Sequence, residues 1–139
     1  MRITLFTVEE ANKLAVELKP LLERLVAAKR DFDDLHERVE VLSLALAGAS
    51  PGNPDARELR DVHTRRTELA EELTRGVQAI QQRGLVVKDL DKGLVDFYTL
   101  SGDRLIFLCW QLGEPEVAHW HTLEGGFSGR QPLHPSELD

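Results

Sequence analysis

Between Leu14 and Leu46 the apolar residues step by four and three without a break: Leu14, Leu18, Leu21, Leu25, Ala28, Phe32, Leu35, Val39, Leu42 and Leu46. A 3.5-residue repeat lays one stripe along an α-helix, and a stripe this long demands a partner helix beside it. The start is marked by Thr7-Val8-Glu9-Glu10, a capping box in which the Thr7 hydroxyl and the Glu10 carboxylate each accept from the other's backbone N–H. The spacing predicts a helix from Val8 to Ala47, roughly 60 Å long at 1.5 Å per residue. Pro20 lies inside it and cannot donate to the Val16 carbonyl, so a bend is expected there; whether the helix is also split is left open.

Gly48-Ala49-Ser50-Pro51-Gly52-Asn53-Pro54 ends that helix. Asn53 or Asp55 can cap the next, whose seam is Leu59, Val62, Arg66, Leu69, Leu73, Gly76 and Ile80. Arg66 and Gly76 interrupt the stripe. Gly76 either allows close helix approach or loosens this stretch. Gly84 supplies the stop. A short loop makes the helices antiparallel neighbours, pairing Leu22 with Ile80 and Phe32 with Ala70. The first turns of helix one, Glu9 to Leu18, then overhang the second helix and need cover from the rest of the chain.

After Gly84 the period changes to two. Strands are expected at Leu85–Asp89, Leu94–Leu100, Leu105–Leu112 and Val117–Leu123, joined by turns carrying Gly93, Gly102 and Gly113. The fold class is therefore α+β: residues 7–84 as a long, coiled-coil-like antiparallel helical hairpin, residues 85–124 as a small four-stranded antiparallel β-meander, and residues 125–139 as a covering tail, all in one domain over 1–139. The third strand is apolar on both faces, with Ile106, Leu108, Trp110 and Leu112 on one and Leu105, Phe107 and Cys109 on the other. The overhanging helix can cover one face. The tail or a second copy must cover the other, and this motivates a homodimer.

Charge and composition narrow the partners. Residues 1–84 hold 13 basic and 15 acidic side chains, and residues 85–139 hold 4 and 9, giving the net charge of −7. No basic patch suited to a phosphate backbone emerges, so nucleic acid is not expected, and a protein partner is preferred. No apolar run is long enough to cross a membrane. A single cysteine, Cys109, and an acidic start without an h-region point to the cytoplasm.

The polar residues of the sheet half offer one constellation. His119-Trp120-His121 places two imidazoles on one face of a strand, half of a metal site, with Asp96, Cys109, Glu114 and Glu116 as candidate partners. A two-residue turn at Gly102-Asp103 sets Asp96 opposite Cys109. A four-residue loop over Gly113–Glu116 sets Cys109 opposite Trp120 and sends both histidines to the other face, whereas an odd loop or a bulge brings all four together. The simplest turns argue against the site, so no cofactor is predicted, and a divalent metal on His119, His121, Asp96 and Cys109 is the alternative. In Gly125-Gly126-Phe127-Ser128-Gly129-Arg130 the preferred reading is a loop that tucks Phe127 onto the sheet while Arg130 pairs with Asp89, Asp96 or Glu116; an anion cradle is the other. Cys109 in mid-strand reads as a core thiol rather than a nucleophile.

Phe6-Thr7-Val8-Glu9-Glu10-Ala11-Asn12, Val87-Lys88-Asp89-Leu90-Asp91-Lys92-Gly93-Leu94-Val95-Asp96-Phe97, Leu108 to Glu116, Trp120-His121 and Gly126 to Leu133 together resemble a bacterial family known as domain of unknown function 2203. The resemblance spans nearly the whole chain and implies no activity. It implies that a shared role would use Lys88, Asp89, Asp96, Trp110, Glu114, Glu116, Trp120, His121, Gly129 and Arg130, a ligand or partner surface on the sheet half. With no catalytic signature, the expected function is a protein-interaction or assembly module. The alternative is a small-ligand or metal-binding protein, which could be an enzyme.

Overall fold

The computed structural model describes residues 2–134. Its first helix, α1 (Val8–Ala45), opens on the capping box: Glu10 N–H donates to Thr7 Oγ1 at 3.1 Å and Thr7 N–H donates to Glu10 Oε1 at 2.9 Å. The helix runs unbroken through Pro20, which is solvent-exposed, so its missing N–H leaves a carbonyl that water can reach. The helix ends two residues before Ala47, with Leu46 as its cap. Asn53 caps α2 (Pro54–Gln82), accepting from Asp55 N–H, and Pro54 takes the first helical position.

The hairpin closes in the register its seams dictate. Leu22, Leu25, Leu69, Leu73 and Ile80 are buried between the helices, and Arg83 clasps Glu17 with two hydrogen bonds at 3.0 Å. Arg66 is accommodated as a polar rung. Its two terminal nitrogens donate to Nδ1 of His36 at 3.0 Å and Nδ1 of His63 at 3.1 Å.

The sheet that follows is antiparallel, with strands adjacent in chain order: β1 (Leu85–Asp89), β2 (Leu94–Ser101), β3 (Arg104–Gln111), β4 (His119–His121) and β5 (Gln131–Pro132). The overhanging start of α1 covers one face. Ala11, Leu14, Ala15 and Leu18 join Val95, Phe97, Leu108, Trp110 and Val117 in one core, and Phe6 packs edge-on against Phe97 with ring centroids 5.3 Å apart. Burying each such Leu or Phe contributes roughly 1.5–3 kcal/mol.

Three expectations are corrected. The fourth strand is His119–His121 rather than Val117–Leu123, because Val117 N–H leaves the ladder for Asn12 Oδ1 at 2.7 Å and Thr122 begins a turn closed by Gly125. The tail adds a fifth strand at the sheet edge instead of serving only as cover; its last residues, 135–139, and Met1 lie outside the described residues. Finally, nine residues, 110–118, lie between the last paired residue of β3 and the first of β4, an odd number, so Cys109 stands opposite His119 and not Trp120.

Candidate functional site

That register turns β4 over. Both histidines share a face with Asp96 and Cys109, and Trp120 points toward the helices. Asp96 pairs with Cys109 across β2 and β3, through the tight Gly102-Asp103 turn that the sequence predicts. Asp96, Cys109 and His121 are all buried, and their ligand-capable atoms lie within 4.8 Å of one another.

His121 is held at both ring nitrogens. Nδ1 lies 2.7 Å from the Thr122 carbonyl and Nε2 lies 3.0 Å from Asp96 Oδ2. A carbonyl only accepts, so Nδ1 carries a proton. A second proton then sits between Nε2 and Oδ2, since two lone pairs cannot face each other at that distance. The Phe107 ring, with centroid 5.4 Å from that of His121, packs against the imidazole. Burial pushes the Asp96 carboxyl above its ordinary value, against the opposing pull of His121. Asp96 Oδ1 is buried and has no hydrogen-bond partner among the described residues.

Cys109 is fully buried. Burial first, and the negative charge of Asp96 second, push its thiol up to about 12. A thiol this reluctant to ionise stays protonated at neutral pH. It would ionise on a metal ion, whose charge reverses the local preference.

Lys88 reaches the cluster through a β-bulge. The β1–β2 ladder slips between Val87 and Asp89, leaving Lys88 unpaired in the ladder, and its Nζ stands 4.0 Å from Asp96 Oδ2 and 4.7 Å from the Phe107 centroid.

The remaining candidates separate into other roles. Glu114 does not join the cluster; it accepts Gln111 N–H at 2.7 Å and receives Arg130 in a two-pronged ion pair, both arms 2.9 Å. Arg130 thus pairs with Glu114, not with Asp89, Asp96 or Glu116, and its guanidinium also meets the Cys109 carbonyl at 3.3 Å and the Phe127 ring at 4.8 Å. This clamp folds the tail over the second face and occupies the guanidinium that an anion cradle would need. Burial pushes the Glu114 carboxyl up, but the Arg130 and Gln111 hydrogen bonds outweigh it and hold it below its ordinary value. His119 stands beside the cluster, 3.7 Å from Glu114 Oε2. Asp89 closes the 89–92 turn by accepting from Asp91 and Lys92 N–H. Trp110 is in the core and donates to the Glu114 carbonyl, Gly129 ends a 3-10 turn, and Glu116 is exposed. A groove of about 680 Å³ between α1 and residues 113–116 is lined by Lys13, Val16, Trp110 and Glu116, on the opposite side of the sheet from Asp96.

The sequence reading missed two contributors. The Thr122 carbonyl fixes the His121 tautomer, and Asn12 holds Val117; a backbone carbonyl carries no sequence signature, and Asn12 is 105 residues from its partner.

This is an α+β protein in which a helical hairpin backs a sheet carrying a buried Asp–Cys–His cluster. The family model described as uncharacterized conserved protein DUF2203 matches residues 4–133, and the chain belongs to that family. Comparison with curated proteins and with solved structures gives no match. No helix among the described residues is long and apolar enough to cross a membrane.

Proposed function

We propose that this protein binds a divalent transition metal of the zinc class through Asp96, Cys109 Sγ and His121 Nε2. The observation that carries the reading is the 2.7 Å hydrogen bond between His121 Nδ1 and the Thr122 carbonyl. It fixes the tautomer whose Nε2 lone pair is the metal donor, the role that outer partners play at metal-bound imidazoles. Thiolate, imidazole and carboxylate form a donor set that Zn(II) and Co(II) accept. Three protein donors leave one tetrahedral position for water or another ligand. The buried Asp96 Oδ1 adds a further carboxylate donor. His119, also on this face, is a reserve donor rather than one of the three. A site built on a thiol belongs in a reducing compartment, the cytoplasm.

The test is native mass spectrometry of the untagged chain purified without chelators and then equilibrated with Zn(II). One zinc per chain is expected, and it should be lost in Cys109→Ser and His121→Ala. Wild-type protein that takes up no zinc, or a Cys109→Ser variant that takes it up equally well, would sink the reading.

A second reading is an interaction or assembly module, such as a homodimer. It is favoured by Val41 and Leu44 near the hairpin tip, which are 50% and 80% exposed. The doubly apolar β3 no longer demands a second copy, since Phe107 and Cys109 are already buried within one chain. Light scattering at high concentration tests this; a strict monomer counts against self-assembly.

A further inference from the structure

The metal reading raises the question of what Lys88 does there, and the following inference rests on that reading. The Asp96 side chain is 1% exposed and that of Lys88 is 38% exposed, so the ammonium stands on the solvent side of a buried carboxylate. The other cations nearby are engaged elsewhere: Arg130 is gripped by Glu114, and Lys92 lies over Phe127 at 5.1 Å. An ammonium 4.0 Å from Oδ2 and a divalent ion on the same carboxylate repel strongly, because the site is buried and poorly screened. Lys88 can yield, having a flexible four-carbon stem that reaches water.

We infer that Lys88 and the metal ion exclude one another at Asp96: Lys88 is a built-in competitor that lowers metal affinity and swings outward when the ion binds. The bulge supports this. It frees Lys88 from the ladder, so the side chain can move without breaking a cross-strand pair. The departing ammonium also leaves the face of Phe107, which is 4% exposed with Lys88 in place. Metal occupancy would thereby alter the protein surface at an aromatic ring, which makes the site responsive to metal instead of simply structural.

The experiment is Co(II) titration of the full chain, followed by thiolate-to-cobalt charge-transfer absorption, for wild type, Lys88→Met and Lys88→Arg. It is paired with amine acylation of wild-type Lys88 with and without Zn(II). Lys88→Met should bind Co(II) about tenfold more tightly, while Lys88→Arg, which keeps the charge, should stay within about twofold of wild type. Acylation of Lys88 should accelerate on zinc addition in wild type and not in Cys109→Ser. A full charge-transfer band with equal affinities and unchanged Lys88 reactivity would overturn the role of Lys88 and leave the metal reading standing. Absence of the band in every protein would overturn both.

Discussion

Leu25 packs directly against the backbone of Gly76 across the hairpin, so closely that a Cβ at position 76 would collide with both Leu25 methyl carbons. The glycine therefore permits a close approach between the helices and does not mark a loose stretch. Leu25 is 1% exposed and has little room to give way. Gly76→Ala gains about 1 kcal/mol of helix propensity but forces overpacking that costs typically 1–3 kcal/mol. The expected net is a destabilisation of about 1 kcal/mol, read as a lower urea midpoint with an unchanged m-value. A raised midpoint would mean that Leu25 repacks freely.

Metal binding at the cluster should be steeply pH-dependent. The ion replaces the proton between His121 Nε2 and Asp96 Oδ2 and also the proton of Cys109, whose thiol is pushed up to about 12. The thiol proton remains bound near neutrality, so its release alone raises the apparent affinity about tenfold per pH unit. Competition titrations with a chromophoric chelator between pH 6 and 8 measure the slope. In Cys109→Ser the slope should fall by about one. A wild-type slope near zero would contradict the proton assignment.

The helices were legible because their signal is local and repeated. The seam from Leu14 to Leu46 names its own face, and Thr7 with Glu10 marks the start. The Gly102-Asp103 turn was equally readable, and with it the pairing of Asp96 with Cys109. The cluster was not readable, because it depends on the parity of the β3–β4 connection. That parity is set within residues 112–118, where the Val117 N–H leaves the ladder for Asn12 on α1. A one-residue difference in register flips every side chain of a strand, so His121 stood on either face until the tertiary contact was known. Lys88 was named only by resemblance, since no glycine or proline marks its bulge.

The Glu114–Arg130 clamp should show itself in acid. The folded-state pKa of Glu114 is depressed below its ordinary value of 4.5, so the folded state binds fewer protons there than the unfolded chain. Its contribution is complete above that ordinary value and is lost as pH falls through the depressed one. Glu114→Gln should be less stable than wild type by about 1–3 kcal/mol at pH 7, and the gap should narrow as the pH falls below the ordinary Glu value. Urea unfolding at pH 7, 5, 4 and 3 gives the comparison. A gap that persists unchanged into acid would show that the clamp acts by packing and not by charge.

Asn12 ties the two halves of the protein together: Oδ1 accepts from Val117 N–H at 2.7 Å while Nδ2 donates to the Val8 carbonyl at 3.1 Å. Val117 is 2% exposed, so Asn12→Ala leaves a buried N–H without its acceptor at a cost of about 1–3 kcal/mol. Asn12→Asp keeps the acceptor and should recover part of that loss. The effect has a local reporter in amide hydrogen exchange. The Val117 amide should exchange much faster in Asn12→Ala, whereas the amide of Phe97, fully buried in β2, should slow or quicken only with global stability. Because the same bond takes Val117 out of the ladder ahead of His119, the Asn12→Ala variant should also bind Co(II) more weakly than wild type. Protection of Val117 equal to wild type would show that the strand holds its register without Asn12.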